Sequence, residues 1–343
     1  MFAKVLGRNP GGADLARVKS SANYYDGTFH NQSPTEITLK EASFFKMMRD
    51  FLNKPESATP KKIVPSVKTD LKSLPSEKPA IVWFGHSSYF IKYRNINVLI
   101  DPVFSGNASP VSAFAKSFPG SDIYTTADFP GIDIMILTHD HYDHLDYKTI
   151  LQFANKVKHF YVSLGVESHL KYWGIAADRI TSFDWWDSKL TPEGFQLTST
   201  PARHFSGRSF TRNKTLWSSF ILKMDEYSIF IGGDSGYDRH FKEIGSKFGP
   251  FDIVFLESGQ FNKLWPYIHL LPEETVTAAK DLKAKLLLPV HWGKFALAFH
   301  DWDEPIKRVL KEAKLQKVNV TTPMIGEAFC LGEAYPEKEW WKF

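Results

Sequence analysis

Short apolar runs alternate with amphipathic stretches along the chain, a pattern that predicts a mixed α/β protein. Ile132-Asp133-Ile134-Met135-Ile136-Leu137 is an apolar run of strand length, expected to be buried. Ile81-Val82-Trp83-Phe84 and Tyr89-Phe90-Ile91-Lys92-Tyr93 read as paired strands, with Val98-Leu99-Ile100 following across the turn Arg94-Asn95-Ile96-Asn97. Strand-like and helix-like runs then alternate. Phe160-Tyr161-Val162 precedes a helical stretch around Glu167 to Trp173, and Ile229-Phe230-Ile231 precedes one around Asp238 to Phe248. Helices are expected over Pro272 to Ala284 and Asp303 to Ala313, flanking a strand at Leu286-Leu287-Leu288-Pro289-Val290. No internal repeat or low-complexity tract interrupts this order.

The first 80 residues differ in character. Thr38-Leu39-Lys40-Glu41 has the form of a capping box, and Phe44, Phe45, Met47, Met48, Phe51 and Leu52 follow at helical spacing. Such an amphipathic helix either docks on the rest of the chain, the commoner fate, or lies on an anionic membrane with Lys40, Lys46 and Arg49 beside its apolar face. Pro55, Pro60, Pro65, Pro75 and Pro79 then predict an extended connector. The chain therefore divides into an N-terminal helical and extended arm, residues 1–79, and a domain over residues 80–343.

Composition supports a packed core, with 43% hydrophobic and 15% aromatic residues in 343. Charge is uneven: residues 1–80 hold 13 Lys and Arg against 8 Asp and Glu, and the remainder 29 against 30. The domain thus lacks the basic excess of a nucleic-acid tracking surface. Cys330 is the single cysteine, so no internal disulfide framework forms, and a reducing cytoplasm is the simpler expectation. Met1 to Arg8 lacks the long apolar region of a secretion signal, and no segment reaches the roughly 18 apolar residues of a membrane span. The expected location is cytoplasmic or peripherally membrane-associated.

Chemistry concentrates at Thr138 to Asp146, which reads T-H-D-H-Y-D-H-L-D directly after the apolar run. His139, His141, Asp143 and His144 supply imidazole and carboxylate, a donor set that zinc, iron and manganese accept. Alternation lets His139 and His141 point one way while Asp143 and His144 turn toward a second position, so a single ion is not expected to absorb all four. A closed structural zinc site would ordinarily draw on cysteine, and Cys330 is remote. His204, Asp234 and His291 each follow a strand-like segment as well. Taken singly, these are ordinary core histidines or a turn aspartate.

Taken in order, H-x-H-x-D-H followed by His204, Asp234 and His291 resembles the metallo-β-lactamase superfamily. Several segments are similar, more narrowly, to N-acylphosphatidylethanolamine phospholipase D and its bacterial relatives. They include Trp83-Phe84-Gly85-His86-Ser87-Ser88, Asp101-Pro102-Val103-Phe104-Ser105, Gly233-Asp234-Ser235-Gly236-Tyr237, Pro272-Glu273-Glu274 and His291-Trp292-Gly293. Ile268 stands where that phospholipase has glutamine in a Y-Q-H segment.

The resemblance implies an α/β fold, a four-layer αββα sandwich with two divalent ions at the sheet edge. Zinc is the expected metal, with iron or manganese as alternatives. One ion would be held by His139, His141 and His204, the other by Asp143, His144 and His291, with Asp234 bridging. A metal-bridging hydroxide would then attack substrate, oriented by Asp143 and Asp234, while His269 matches a family histidine beside the substrate. Asp101 and His86 are expected to support the ligands, and Arg203, Arg208 and Arg212 are either solvated or aimed at a phosphate. The implied activity is a phosphodiesterase of phospholipase D type acting on phospholipid. A lactonase or sugar-phosphate hydrolase acting on a small molecule, and a metal-stabilised membrane-docking scaffold, are the alternatives. A dimer is compatible with all of them.

Overall fold

A computed structural model describes residues 2–39, 49–50, 53–209 and 211–343. Within them the helices are α1 (Phe2–Val5), α2 (Gly12–Lys19), α3 (Tyr147–Phe153), α4 (Glu167–Tyr172), α5 (His240–Phe248), α6 (Pro272–Asp281) and α7 (Glu304–Gln316). The strands are β1 (Tyr24–Tyr25), β2 (Thr28–Phe29), β3 (Ala80–Trp83), β4 (Tyr89–Tyr93), β5 (Ile96–Ile100), β6 (Ile132–Leu137), β7 (Val157–Ser163) and β8 (Ile180–Phe183). Then follow β9 (Ser188–Leu190), β10 (Gln196–Pro201), β11 (Ser218–Met224), β12 (Tyr227–Ile231), β13 (Ile253–Glu257), β14 (Leu287–Val290) and β15 (Ala328–Cys330).

Strand periodicity builds the layers. In β6, Ile134 and Ile136 point into one apolar cluster while Met135 and Leu137 point into another. β12 does the same on its own side, Ile229 and Ile231 against Phe230. Two large sheets result, a seven-stranded one in the order β15-β3-β4-β5-β6-β7-β8 and a six-stranded one in the order β14-β13-β12-β11-β10-β9, while β1 and β2 pair apart from them. Their inward faces share one core, in which the Tyr89 ring stacks on Phe255 with centroids 3.9 Å apart. Outward, α3 and α4 cover the first sheet through Ile150, Phe153 and Leu170, and α5, α6 and α7 cover the second through Phe241, Ile244, Val276 and Val309. This is the four-layer αββα sandwich. Each such buried side chain contributes about 1.5–3 kcal/mol, so both faces of both sheets are needed to hold it.

The parallel registers β5-β6-β7-β8 and β12-β13-β14 bring the C-terminal ends of these strands to one edge. That edge carries the loops after β5, β6, β12, β13 and β14. Helix α6 stops at Asp281, short of the expected Ala284, because Lys283 turns left-handed at φ 57°. The expected amphipathic helix lies largely outside the described residues. In the proline-rich segment that follows, Val64, Leu71 and Leu74 are buried, and Ser66 bridges to Ile325. No helix among the described residues is long and apolar enough to cross a membrane.

Candidate metal centre

All seven histidine and aspartate positions singled out above meet at the shared sheet edge. Their donor atoms fall into groups in which all lie within 4.8 Å of one another: His139, His141, His204 and Asp234 in one, and Asp143, His144 and His291 with His86 in another. Asp234 joins them, its Oδ2 3.8 Å from His139 Nε2 and 3.7 Å from His204 Nε2, and its Oδ1 3.2 Å from His144 Nε2 and 2.9 Å from His291 Nδ1.

Backbone conformation aims these side chains. Gly233, at φ +60°, makes the turn that ends β12, and a Cβ there would meet Ser218 O and Thr138 Cβ at 3.0 Å. His86, Asp101 and His291 are left-handed as well, at φ 52°, 39° and 69°. For residues with a Cβ this costs of order 1–3 kcal/mol each, strain that persists where surrounding bonds over-determine the turn. Here they do: His291 N–H donates to His86 O at 2.9 Å, and His86 N–H donates to Trp292 O at 2.8 Å.

A second ring of contacts holds the imidazoles. His144 Nδ1 lies 2.8 Å from Asp101 Oδ2, and Asp101 also accepts from the Thr138 backbone and hydroxyl at 2.9 and 2.6 Å. His204 Nδ1 donates to Ile268 O at 2.7 Å, so the backbone at Ile268 works for the site whatever its side chain. His86 Nε2 donates to Asp143 Oδ2 at 2.9 Å. The bonds to His144 and His204 fix ring orientation and leave Nε2 of each facing the cluster, while His86 steadies Asp143.

The donor chemistry fits metal. His141 Nδ1 lies 3.0 Å from His139 Nε2 and 3.2 Å from His204 Nε2, close to the roughly 3.3 Å edge of a tetrahedron with bonds of 2.0–2.1 Å. Buried His144 Nε2 and Asp234 Oδ1 lie 3.2 Å apart but meet no partner at hydrogen-bond angles, as two atoms turned toward a shared ion would. Burial drives the His139 and His204 pKa values well down, so both are neutral and ready to ligate. Burial also opposes charge on His144, yet the Asp234 and Asp143 carboxylates and the Asp101 bond overcome it and lift the pKa to about 10. Burial likewise opposes ionisation of Asp234, whose pKa nonetheless falls well below the carboxylate range through the charges of His144 and His291. The carboxylates of Asp143 and Asp234 thus favour positive charge in the centre, which a divalent ion would supply in place of an imidazolium.

A family model described as a beta-lactamase superfamily domain matches residues 96–292. The chain belongs to the metallo-β-lactamase superfamily. An uncharacterized protein of Mycobacterium tuberculosis is 35% identical over 340 residues, covering 96% of this chain and 91% of that one. The N-acyl-phosphatidylethanolamine-hydrolyzing phospholipase D 1 of Caenorhabditis elegans is 30% identical over 248 residues, 67% of this chain and 68% of its own. Among solved structures, the metallo hydrolase Igni18 of Ignicoccus hospitalis shares the fold with a TM-score of 0.58 at 18% identity, over 75% of this chain and all of that one. The protein is accordingly a metal-dependent hydrolase of this superfamily.

Beside the metallo-β-lactamase centre opens a cavity of about 270 Å³, lined by His141, Asp143, Asp234, His269 and His291 on one side. Ile37, Phe205, Trp265, Ile268 and Leu297 give it apolar walls, and Arg212 and Thr38 also line it. His269 faces this space, and Leu271 stands at the N-cap of α6. The three arginines separate: Arg212 reaches the cavity, whereas Arg203 donates to Thr35, Pro34 O and Tyr237 O. Buried Arg208 donates through Nη1 to Asp140 O at 2.8 Å and Leu145 O at 2.6 Å and through Nε and Nη2 to Val5 O, so it braces the histidine-rich loop and all three nitrogens are engaged.

Two participants went unread in the sequence. Glu257 closes β13 and lies among Asp234, His269 and His291 in a third donor group. It ends a buried strand just as Asp234 and His291 follow theirs, and that rule would have found it. Asp140, between His139 and His141, is buried and accepts from Gly207 N at 2.7 Å and Thr215 Oγ1 at 3.0 Å.

Proposed function

We propose that this protein hydrolyses the phosphodiester bond of an N-acylated phospholipid, in the manner of a phospholipase D, at a two-ion centre. The observation that carries the reading is Asp234, whose two carboxylate oxygens face the two halves of the ligand set separately. Zinc suits this nitrogen-rich donor set, with His139, His141 and His204 on one side of Asp234 and Asp143, His144 and His291 on the other. When bound, such ions supply an acidified water and Lewis-acid stabilisation of the reacting phosphoryl group.

The remaining work belongs to the chain. Asp143 and Asp234 offset the charge of the centre and, lining the cavity, can accept a hydrogen bond from the attacking water. His269 stands at the cavity wall with Nδ1 bonded to Glu257 at 2.7 Å, which turns Nε2 toward substrate as an electrophilic contact for a phosphate oxygen. Arg212 adds a cation at the same cavity. Apolar Ile268, Trp265 and Leu297 exclude water around the reacting group and favour a substrate with hydrocarbon next to its phosphate. Similarity to the nematode phospholipase over two thirds of both chains supports the same substrate class.

The test is direct assay. Zinc-loaded protein incubated with N-acylphosphatidylethanolamine should release phosphatidic acid and N-acylethanolamine, detected by mass spectrometry, and Asp234→Asn should abolish the release. Protein that leaves the lipid intact while opening a lactone or cleaving a sugar phosphate would overturn the phospholipase reading.

A further inference from the structure

The N-terminal arm reaches the proposed catalytic centre at His204. Asn31 clamps the backbone of His204 on both sides: its Oδ1 accepts His204 N–H at 3.0 Å, and its Nδ2 donates to His204 O at 2.7 Å. The same Oδ1 accepts the indole N–H of Trp217 at 2.9 Å, so the amide is held in one orientation. His204 N–H and O have no place in a strand ladder, because β10 ends at Pro201. Without Asn31 these two backbone groups would lose their partners.

The neighbouring contacts extend the clamp. Arg203 donates to Thr35 Oγ1 and to Pro34 O, both at 2.9 Å, and its guanidinium lies over the Tyr267 ring at 4.6 Å. Farther on, Leu39 N–H donates to Leu264 O at 2.9 Å. Residues 31–39 are therefore tied to the His204 loop at one end and to the loop after β13 at the other. Between the ties, Ile37 and Thr38 line the cavity that His269 and Arg212 also line.

We propose that residues 31–39 form a strap that completes the catalytic site, with Asn31 as a positioning residue for His204 and Ile37 and Thr38 as the cavity wall that sets which substrates enter. The positioning half concerns metal binding and stands apart from the phospholipid reading. The wall half rests on that reading: Ile37, beside Ile268, Trp265 and Leu297, is placed to contact the hydrocarbon next to the phosphate. An exposed loop could cover a cavity mouth without any such tie. Here both ends are bonded, and one end holds a ligand.

Two readouts on the full-length protein test this. Zinc affinity is measured by competition with a chromogenic chelator, and melting temperature confirms folding. Asn31→Ala should weaken zinc binding about tenfold, the lower end of what loss of a supporting contact costs. Tyr24→Phe, which removes only a bond to Gly27 O elsewhere in the arm, should bind as the wild type does. Should Asn31→Ala fail to fold, Asn31→Asp is read in its place, since it keeps the acceptor contacts and loses the donor to His204 O. Wild-type zinc affinity in a folded Asn31 variant overturns the positioning role. For the wall, Ile37→Trp should raise KM for long-chain N-acylphosphatidylethanolamine several-fold, with zinc content retained. An unchanged KM overturns it. A wild-type protein inactive on the lipid sinks the phospholipase reading together with the wall, while the zinc titration still decides the role of Asn31.

Discussion

The carboxylate of Glu257 accepts a hydrogen bond from His269 Nδ1 at 2.7 Å, and the same oxygen lies 3.3 Å from His291 Nδ1. One buried side chain thus ties cavity-facing His269 to His291, one of the proposed metal ligands. Its other oxygen accepts Ser235 N–H, next to Asp234, so the group is fixed by the very turn it supports.

Glu257→Gln replaces one of these oxygens by an NH₂ donor, which cannot accept from both Ser235 and the imidazoles. Activity should fall tenfold to a hundredfold, the usual cost of losing a contact that orients a ligand, while the protein stays folded. Steady-state kinetics with metal content measured on the same sample checks this. Unchanged kcat would show that His269 keeps its orientation without the carboxylate.

Asp101 is the corresponding support on the far side. Asp101→Asn weakens the acceptor on His144 Nδ1 and should reduce metal affinity by about tenfold or more, read by chelator competition. The effect should appear in binding before it appears in KM, because Asp101 does not line the cavity.

Asp140 sets an acid limit on stability. Burial works against its ionisation, but bonds from His169 and Gly207 prevail and hold its carboxyl well below the usual range. A depressed carboxyl stabilises the fold above its unfolded pKa of about 4, and that contribution is lost as pH falls through the folded value. The melting temperature of the wild type should therefore drop steeply below pH of about 4. Asp140→Asn should be less stable at neutral pH by about 2 kcal/mol and show a shallower acid slope. Equal slopes in the two proteins would remove Asp140 from the account.

The candidate metal-binding loop was legible in the sequence because the chemistry needs rare residue types at fixed spacing, and the strands because inward and outward positions alternate, as Ile134 and Ile136 do against Met135 and Leu137. The strand-end rule located His204, Asp234 and His291. Asn31 was not legible: it meets His204 from 173 positions away through a side-chain amide that carries no periodic or motif signal. Arg208 was misread for a related reason. An arginine in a loop looks solvent-bound, and only the folded chain shows that backbone carbonyls of Asp140 and Leu145 surround it. The buried leucines Leu71 and Leu74 likewise sit in a segment whose prolines signalled only extension.

The central claim is a two-ion centre joined by Asp234. Elemental analysis of chelator-stripped protein reloaded with zinc and passed over a desalting column tests it most directly. Two zinc ions per wild-type chain, and a clear loss of bound zinc in Asp234→Asn, are the predicted results. One ion or none in the wild type, or full loading in Asp234→Asn, would contradict it.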